Sequence, residues 1–226
     1  YHEFLNKEIR KFFEKVIDQK TGLVKPKEHF SSMKDFAIRN SSCYDNCMVA
    51  LLAKDLKVMK LDNPFLKYDY PQLIKENFWN GKYFYDDMNK ENYVAGDANL
   101  FPFVLGIIHD DEIMKSAAKA IADAKLDQPL PLKYTQSRAK INFIWRELLL
   151  KDYESNSIWM HMGPLYIKFI ERLDKNKAAE MKEGYKKLIE KHKNFLEVLT
   201  ADGNPYQTAV YYRDSGMLWA ANYLTL

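Results

Sequence analysis

Hydrophobic residues along the chain recur mainly at spacings of three and four, which is the periodicity of an amphipathic helix. Near the start they run from Phe4 to Ile17, with Gly22 soon after, and predict a helix over residues 4–17. Further helices are predicted over residues 46–59, 70–78, 98–108, 110–124, 138–151, 163–173, 175–195 and 215–224. Alternation with period two is short, and is best at residues 82–85 and 130–134. The sequence therefore predicts an all-α fold of about nine helices.

The predicted helices come in pairs that recur about every 35–45 residues, with a long loop between successive pairs. Helical hairpins are the natural unit for this spacing. A solenoid of short repeats is the alternative, but the sequence has no repeated signature and its loops are long and varied. Closure into a toroid would gather the loops at one end, around a central cavity. We expect a single α/α-toroid domain over residues 1–226.

Composition and charge narrow the class of protein. A hydrophobic fraction of 47% with 29% charged residues is ordinary for a globular protein. The 34 basic and 31 acidic residues nearly balance, and the lysines are spread over helix faces, so nucleic acid is not an expected partner. No apolar run approaches the roughly 20 residues that span a bilayer, so no membrane association is expected.

The two cysteines, Cys43 and Cys47, lie one helical turn apart at the start of a predicted helix. A zinc site would need two further ligands at matching spacing, and the neighbouring sequence offers none. Buried reduced thiols are the simpler interpretation, and they favour a cytoplasmic location.

Five loops are rich in aromatic and carboxylate residues instead of the Gly, Ser and Lys of ordinary surface turns. They cover residues 31–36 with 39–46, 78–87, 93–97, 156–163, and 194–197 with 202–206. Aromatic rings pack on the C–H face of a sugar, while carboxylate, Asn and Arg side chains bind its hydroxyls. Although each loop alone also fits residues of the core, the five together predict a carbohydrate site at one end of the fold.

Several polar residues in these loops have structural alternatives. Asp45 or Asn46 could be the N-cap of the helix that follows. His161 lies in a Met-flanked apolar segment, which favours a hydrogen-bonded pocket wall over a metal ligand. Four aspartates are typical of turns and helix starts, namely Asp86, Asp87, Asp110 and Asp111.

The order of these segments resembles that of the six-hairpin α/α-toroid glycosidases, which include processing α-glucosidase, trehalase, glucoamylase and amylo-α-1,6-glucosidase. Their catalytic Asp precedes an inner helix in a form like Ser-Gly-x-Asp-Asn, similar to residues 34–36 running on to 44–46, although the Gly is missing here. A Trp, Gly and Pro segment resembles residues 157–164. A Glu before an Asp-Gly turn resembles residues 195–198 with 202–203, and an aromatic helix with Trp resembles residues 217–221.

A complete toroid of this family has twelve helices, more than this sequence predicts. The resemblance therefore implies the C-terminal part of such a toroid, with the first hairpin or more absent or upstream. It covers most of the chain in order, and each single motif is modestly specific.

The resemblance also implies an activity, the hydrolysis of an α-glycosidic bond with inversion. Asp35 or Asp45 would be the general acid and Glu197 the general base. The pocket wall would comprise Tyr44, Trp159, His161 and Trp219, with Arg39 and Asp97 binding sugar hydroxyls. The substrate would be a carbohydrate, and neither a metal nor an organic cofactor is required.

Two alternatives stay open at this point. A sugar epimerase or isomerase of the same architecture would need His residues as acid and base, and His161 alone lies in a candidate loop. A non-catalytic carbohydrate-binding helical protein would fit the short length. The sugar, its linkage and the oligomeric state are not specified by the sequence.

Overall fold

The structure, a computed structural model, describes residues 1–26, 28, 33–136 and 148–226. Within these ranges the chain forms eight α-helices and two short strands. They are α1 (His2–Val16), α2 (Cys43–Val58), α3 (Tyr70–Phe78), α4 (Gly96–Val104), α5 (Asp111–Asp123), β1 (Ile158–Trp159), α6 (Met162–Glu171), α7 (Lys175–His192), β2 (Val198–Leu199) and α8 (Ala220–Leu224). The prediction of a mostly helical chain is confirmed. The predicted helix over residues 138–151 lies mostly outside the described residues.

Side-chain caps fix where several helices begin. The hydroxyl of Ser42 accepts a hydrogen bond from the backbone N–H of Asp45 at 3.0 Å, so α2 begins earlier than the sequence predicts. Asp45 and Asn46, the predicted caps, instead lie inside the first turn of α2. Asp110 caps α5 by accepting from two backbone N–H groups, as expected of a helix-start residue.

Two helices are shorter than the sequence predicts, because a residue with a left-handed backbone conformation ends or interrupts each of them. Lys193 has a φ of 51°, and α7 ends just before it at His192. Gly216 has a φ of 69°, a conformation that breaks the predicted helix over residues 215–224. Only its last part, α8, is helical.

The two strands pair antiparallel, with Ile158 opposite Leu199 and Trp159 opposite Val198. The ladder continues one residue further, where the N–H of Met160 donates to the carbonyl of Glu197 at 3.1 Å. Residues 156–163 and 194–197 were predicted to be loops and no element was predicted for Val198 and Leu199, because strands of two residues carry no visible alternation. The predicted alternating stretches at 82–85 and 130–134 form isolated bridges only, Trp79 with Phe84 and Lys133 with Ile158.

Helix packing follows the order of the helices along the chain. Helices α2, α4, α6 and α8 form a row in which α4 packs against α2 and α6, and α6 also contacts α8. In addition, α3 packs on α2, α5 on α4 and α7 on α6. From α2 onward, each even-numbered helix therefore packs on the next even-numbered helix. Helices α3, α5 and α7 each pack on the helix that precedes them in the chain. No helix within the described ranges is long and apolar enough to cross a membrane.

The contact between α6 and α7 is close at Gly163, in the first turn of α6. A Cβ at this position would overlap the hydroxyl of Tyr185 in α7 and lie 2.7 Å from the carbonyl oxygen of Pro131. Tyr185 is fully buried and its hydroxyl donates to that same carbonyl. There is no room for a side chain here.

We expect Gly163→Ala to lower the free energy of unfolding by about 1–3 kcal/mol, because the added methyl displaces buried groups that are already hydrogen-bonded. Gly184→Ala is the matched control: its Cβ would meet only the flexible end of Leu130, and alanine favours the α7 helix. The control should change stability by less than about 1 kcal/mol. Urea denaturation of both variants tests this, and equal effects would contradict it.

Candidate functional site

A pocket of about 430 Å³ opens where β1, the region around Glu197 and the row of helices α2, α4, α6 and α8 meet. Its lining comprises Met33, Asp35, Tyr44, Phe101, Tyr153, Trp159, His161, Leu165, Glu197, Met217, Trp219 and Asn222. Six of the nine residues singled out in the sequence are thus brought together, although they are spread from residue 35 to residue 219. Each of the four helices in the row contributes one lining residue.

An aromatic wall occupies one part of the pocket. The ring of His161 lies between two tryptophans, with centroid distances of 5.5 Å to Trp159 and 4.9 Å to Trp219. Tyr153 packs edge-on against Trp159 at 4.8 Å, and its carbonyl accepts from the Trp159 indole N–H. Such a wall presents the ring surfaces on which the C–H face of a sugar packs.

Glu197 is held from one side. One carboxylate oxygen, Oε2, accepts from the hydroxyl of Tyr211 and from the N–H of Asp214, the latter at 3.0 Å. No described residue donates a hydrogen bond to the other oxygen, Oε1. Because the backbone of Glu197 is also fixed, by Met160 and Asp214, the carboxylate is oriented with one oxygen available to a ligand or water.

The two candidate acids differ in their surroundings. Asp35 is exposed and lines the pocket. Asp45 is only 3% exposed, is absent from the lining, and its buried Oδ1 has no hydrogen-bond partner among the described residues. Only Asp35 therefore shares the pocket with Glu197.

Arg39 and Asp97 were predicted to bind sugar hydroxyls, but the structure pairs them with each other and leaves them out of the lining. The guanidinium of Arg39 lies 2.9 Å from Asp97 and 3.3 Å from Asp86. Lys34 adds a second cation, 3.2 Å from Asp86 and 3.8 Å from Asp97. We call these four residues the buried ionic cluster. Loops 78–87 and 93–97 contribute to this cluster and not to the pocket lining.

Charge pairing offsets the cost of burying the ionic cluster. Burial alone would raise the pKa of Asp86, but Lys34 and then Arg39 outweigh it and lower that pKa to about 2. For Arg39, burial lowers the pKa, while Asp86 and Asp97 raise it above its usual value. Asp86 and Arg39 are therefore both charged at neutral pH. Asp86, predicted to be a turn residue, is thus one of the two carboxylates that neutralise the cluster.

His161 is a neutral imidazole in this pocket. Burial lowers its pKa to about 3, well below the usual value of 6.5. Its Nε2 lies 3.1 Å from the sulfur of Met33, and its Nδ1 is buried without a hydrogen bond to any described residue. The neutral ring forms part of the pocket lining, but it is a poor proton donor.

The sequence did not single out Tyr153 and Glu154, nor Tyr211, whose hydroxyl binds Glu197. Tyr153 lies at the centre of an aromatic cluster with Trp159, Tyr206 and Tyr211. Glu154, next to it, is buried and holds the backbone beside Asp35. The run of aromatic and acidic residues continues upstream of the predicted loop 156–163, so extending that loop to residue 153 would have found the first two.

No group of three or more His, Cys, Asp or Glu side chains in the described part of the chain is arranged to hold a metal ion. Cys43 and Cys47 are buried free thiols. No protein-family model matches the chain, and a comparison with curated proteins finds no match.

Because the pKa of His161 is low in the folded protein, the free energy of unfolding should fall as the pH is lowered. The unfolded chain binds a proton at this residue below about pH 6.5 and the folded protein does so only near pH 3, so stability is lost as pH falls through this range. Between pH 7 and 5, wild-type protein should lose about 1–2 kcal/mol more than His161→Phe.

Urea unfolding at both pH values measures this difference. His109→Gln is the control, since it removes an exposed histidine that lies outside the pocket lining. A His161→Phe variant that keeps the wild-type pH dependence would contradict the burial of a neutral imidazole.

Proposed function

We propose that the protein is an inverting α-glycoside hydrolase whose sugar substrate occupies the aromatic pocket. One observation carries the proposal: Asp35 and Glu197 line the same pocket, together with Trp159 and Trp219. Two carboxyl groups beside aromatic rings are the requirement for binding a sugar and cleaving its glycosidic bond. The resemblance of the sequence segments to six-hairpin glycosidases supports the same activity.

In the proposed mechanism Asp35 is the general acid and Glu197 the general base. Asp35 protonates the leaving-group oxygen, and the exposed position of its carboxyl group at the pocket suits contact with a departing group. Through Oε1, Glu197 accepts a proton from the water that attacks the anomeric carbon as the bond from that carbon to the leaving oxygen breaks. Tyr211 and the Asp214 N–H hold Oε2 meanwhile. Inversion requires a separation of about 6.5–9.5 Å between the two carboxyl groups, to leave room for the water.

The proposed architecture is part of an α/α toroid of helical hairpins. The row of α2, α4, α6 and α8 would belong to the inner ring, with α3, α5 and α7 outside it. Support comes from the pocket, because residues from all four helices of the row reach it: Tyr44, Phe101, Leu165 and Asn222.

The charge of the lining favours a neutral substrate. Among the described lining residues there are two carboxylates and neither Lys nor Arg, while His161 is uncharged at neutral pH. A phosphorylated or carboxylated sugar would meet repulsion without a compensating cation. We therefore propose neutral α-glucosides or trehalose as the substrate class.

Activity of the wild-type protein should be sought on a panel of α-glucosides, trehalose and, as the anionic comparison, glycosyl-glycerates. Product anomers are to be recorded by NMR immediately after cleavage. We expect a neutral glycoside to be cleaved with inverted anomeric configuration. A retained configuration would overturn the proposed mechanism, and binding without cleavage would favour a non-catalytic carbohydrate-binding protein.

On the substrate that the wild-type protein cleaves best, Glu197→Gln and Asp35→Asn should each lower kcat by roughly 10²–10⁴-fold, the usual contribution of general acid–base catalysis. The fold should be preserved, because both side chains keep their shape. Glu171→Gln, at an exposed position in α6, is the matched control and should retain full turnover. Near-normal turnover in Glu197→Gln would remove that residue from the mechanism.

A further inference from the structure

Glu154 connects two segments of the chain that are far apart in sequence. Its side chain is almost fully buried, at 1% exposure. Its Oε1 accepts from the backbone N–H of Phe36 at 2.8 Å, and its Oε2 accepts from the N–H of Ala37 at 2.7 Å. These two amides directly follow Asp35 and are separated from Glu154 by 118 and 117 residues in sequence.

Burying a carboxylate costs free energy, so the need to satisfy two amides does not by itself explain why Glu154 is here. Burial raises the pKa of Glu154 to about 7, although the N–H groups of Phe36 and Ala37 oppose the shift. No Lys or Arg side chain of the described residues forms an ion pair with it, and the nearby Lys34 is engaged with Asp86. The carboxylate has two equivalent acceptor oxygens, and together they fix the orientation of two successive backbone amides.

We propose that Glu154 is a positioning residue of the active site, which clamps the backbone after Asp35 so that the Asp35 carboxyl group faces the pocket. This inference rests on the proposed function, in which Asp35 is the general acid. Lys34, on the other side of Asp35, is held in the buried ionic cluster. The backbone is therefore fixed on both sides of Asp35, while the exposed side chain is left available for chemistry.

The charge of Glu154 can be followed through the amides that it binds. The groups that interact with it electrostatically are Lys34 and Asp35 on the clamped segment, Tyr134, and the adjacent Tyr153. Of these, only Lys34 is a cation. As Glu154 ionises, the bonds from Phe36 and Ala37 become charge-assisted and strengthen.

The first experiment needs no substrate. In wild-type protein, the amide resonances of Phe36 and Ala37 should titrate together with a midpoint near pH 7. In Glu154→Gln one acceptor is replaced by an NH₂ group, so hydrogen-exchange protection of at least one of these amides should fall about tenfold or more. Glu171→Gln, the exposed control, should change neither measurement. Absence of a common titration in the wild-type protein, or unchanged protection in Glu154→Gln, would overturn the clamp.

The second experiment separates positioning of the acid from a general structural effect. An alkyl glycoside needs protonation of its leaving group, whereas a glycosyl fluoride of the same sugar depends on it far less. We expect Glu154→Gln to lower kcat on the alkyl glycoside by about 10–100-fold, with KM changed less than about threefold, and to cleave the fluoride within about threefold of wild type.

Comparing the two substrates distinguishes a loss of acid positioning from a general loss of activity. Equal losses on both substrates in a folded Glu154→Gln variant would make Glu154 a structural residue and overturn its positioning role. Asp35→Asn should show the same preference for the fluoride, only more strongly. Wild-type protein that cleaves neither substrate would overturn the proposed function itself, and the wild-type titration of Phe36 and Ala37 would still decide whether the clamp exists.

Discussion

Burial of the Lys34 and Arg39 charges constrains the rest of the site. Both cations are sealed from water and must meet carboxylates, and Asp86 and Asp97 provide them from two other segments of the chain. Removing one partner from such a cluster leaves an unpaired buried charge, which typically costs about 3–5 kcal/mol. The segment containing Lys34 therefore has few alternative positions. Because Asp35 is the next residue, its place at the pocket follows from where these charges are neutralised.

Glu197 reaches the same pocket by a different constraint. The β1–β2 ladder sets the register between residues 158–160 and 197–199, and the carbonyl of Glu197 accepts from Met160 beside the pocket wall. A slip of one residue would turn Glu197 to the opposite face of the ladder. Trp159 also donates its backbone N–H to Leu132, so this short pairing is anchored on both sides. Charge pairing and strand register thus bring two distant carboxyl groups to one cavity.

Helical periodicity predicted most helices within a few residues, because their apolar faces are long enough to be visible. The composition of the loops predicted half of the pocket lining for a similar reason, since aromatic residues beside carboxylates are distinctive in any sequence. Pairing between side chains was not predictable in this way. Arg39 and Asp97 have the chemistry of sugar ligands, and only the fold reveals that they neutralise each other. A longer loop would have included Glu154, but its role was not predictable because its partners are backbone amides, which every residue has.

The two pocket carboxyl groups differ in what surrounds them, and this difference underlies their proposed division of labour. Glu197 has one oxygen fixed by Tyr211 and Asp214, so it can hold a water in a defined direction without moving. The backbone directly after Asp35 is fixed by Glu154, while the Asp35 side chain is exposed and can follow a departing oxygen. A base must aim at one point, whereas an acid must accompany a leaving group as the bond lengthens. Rigid placement of the Glu197 carboxylate and backbone-only restraint of Asp35 suit those two tasks, and exchanging their roles would fit the geometry less well.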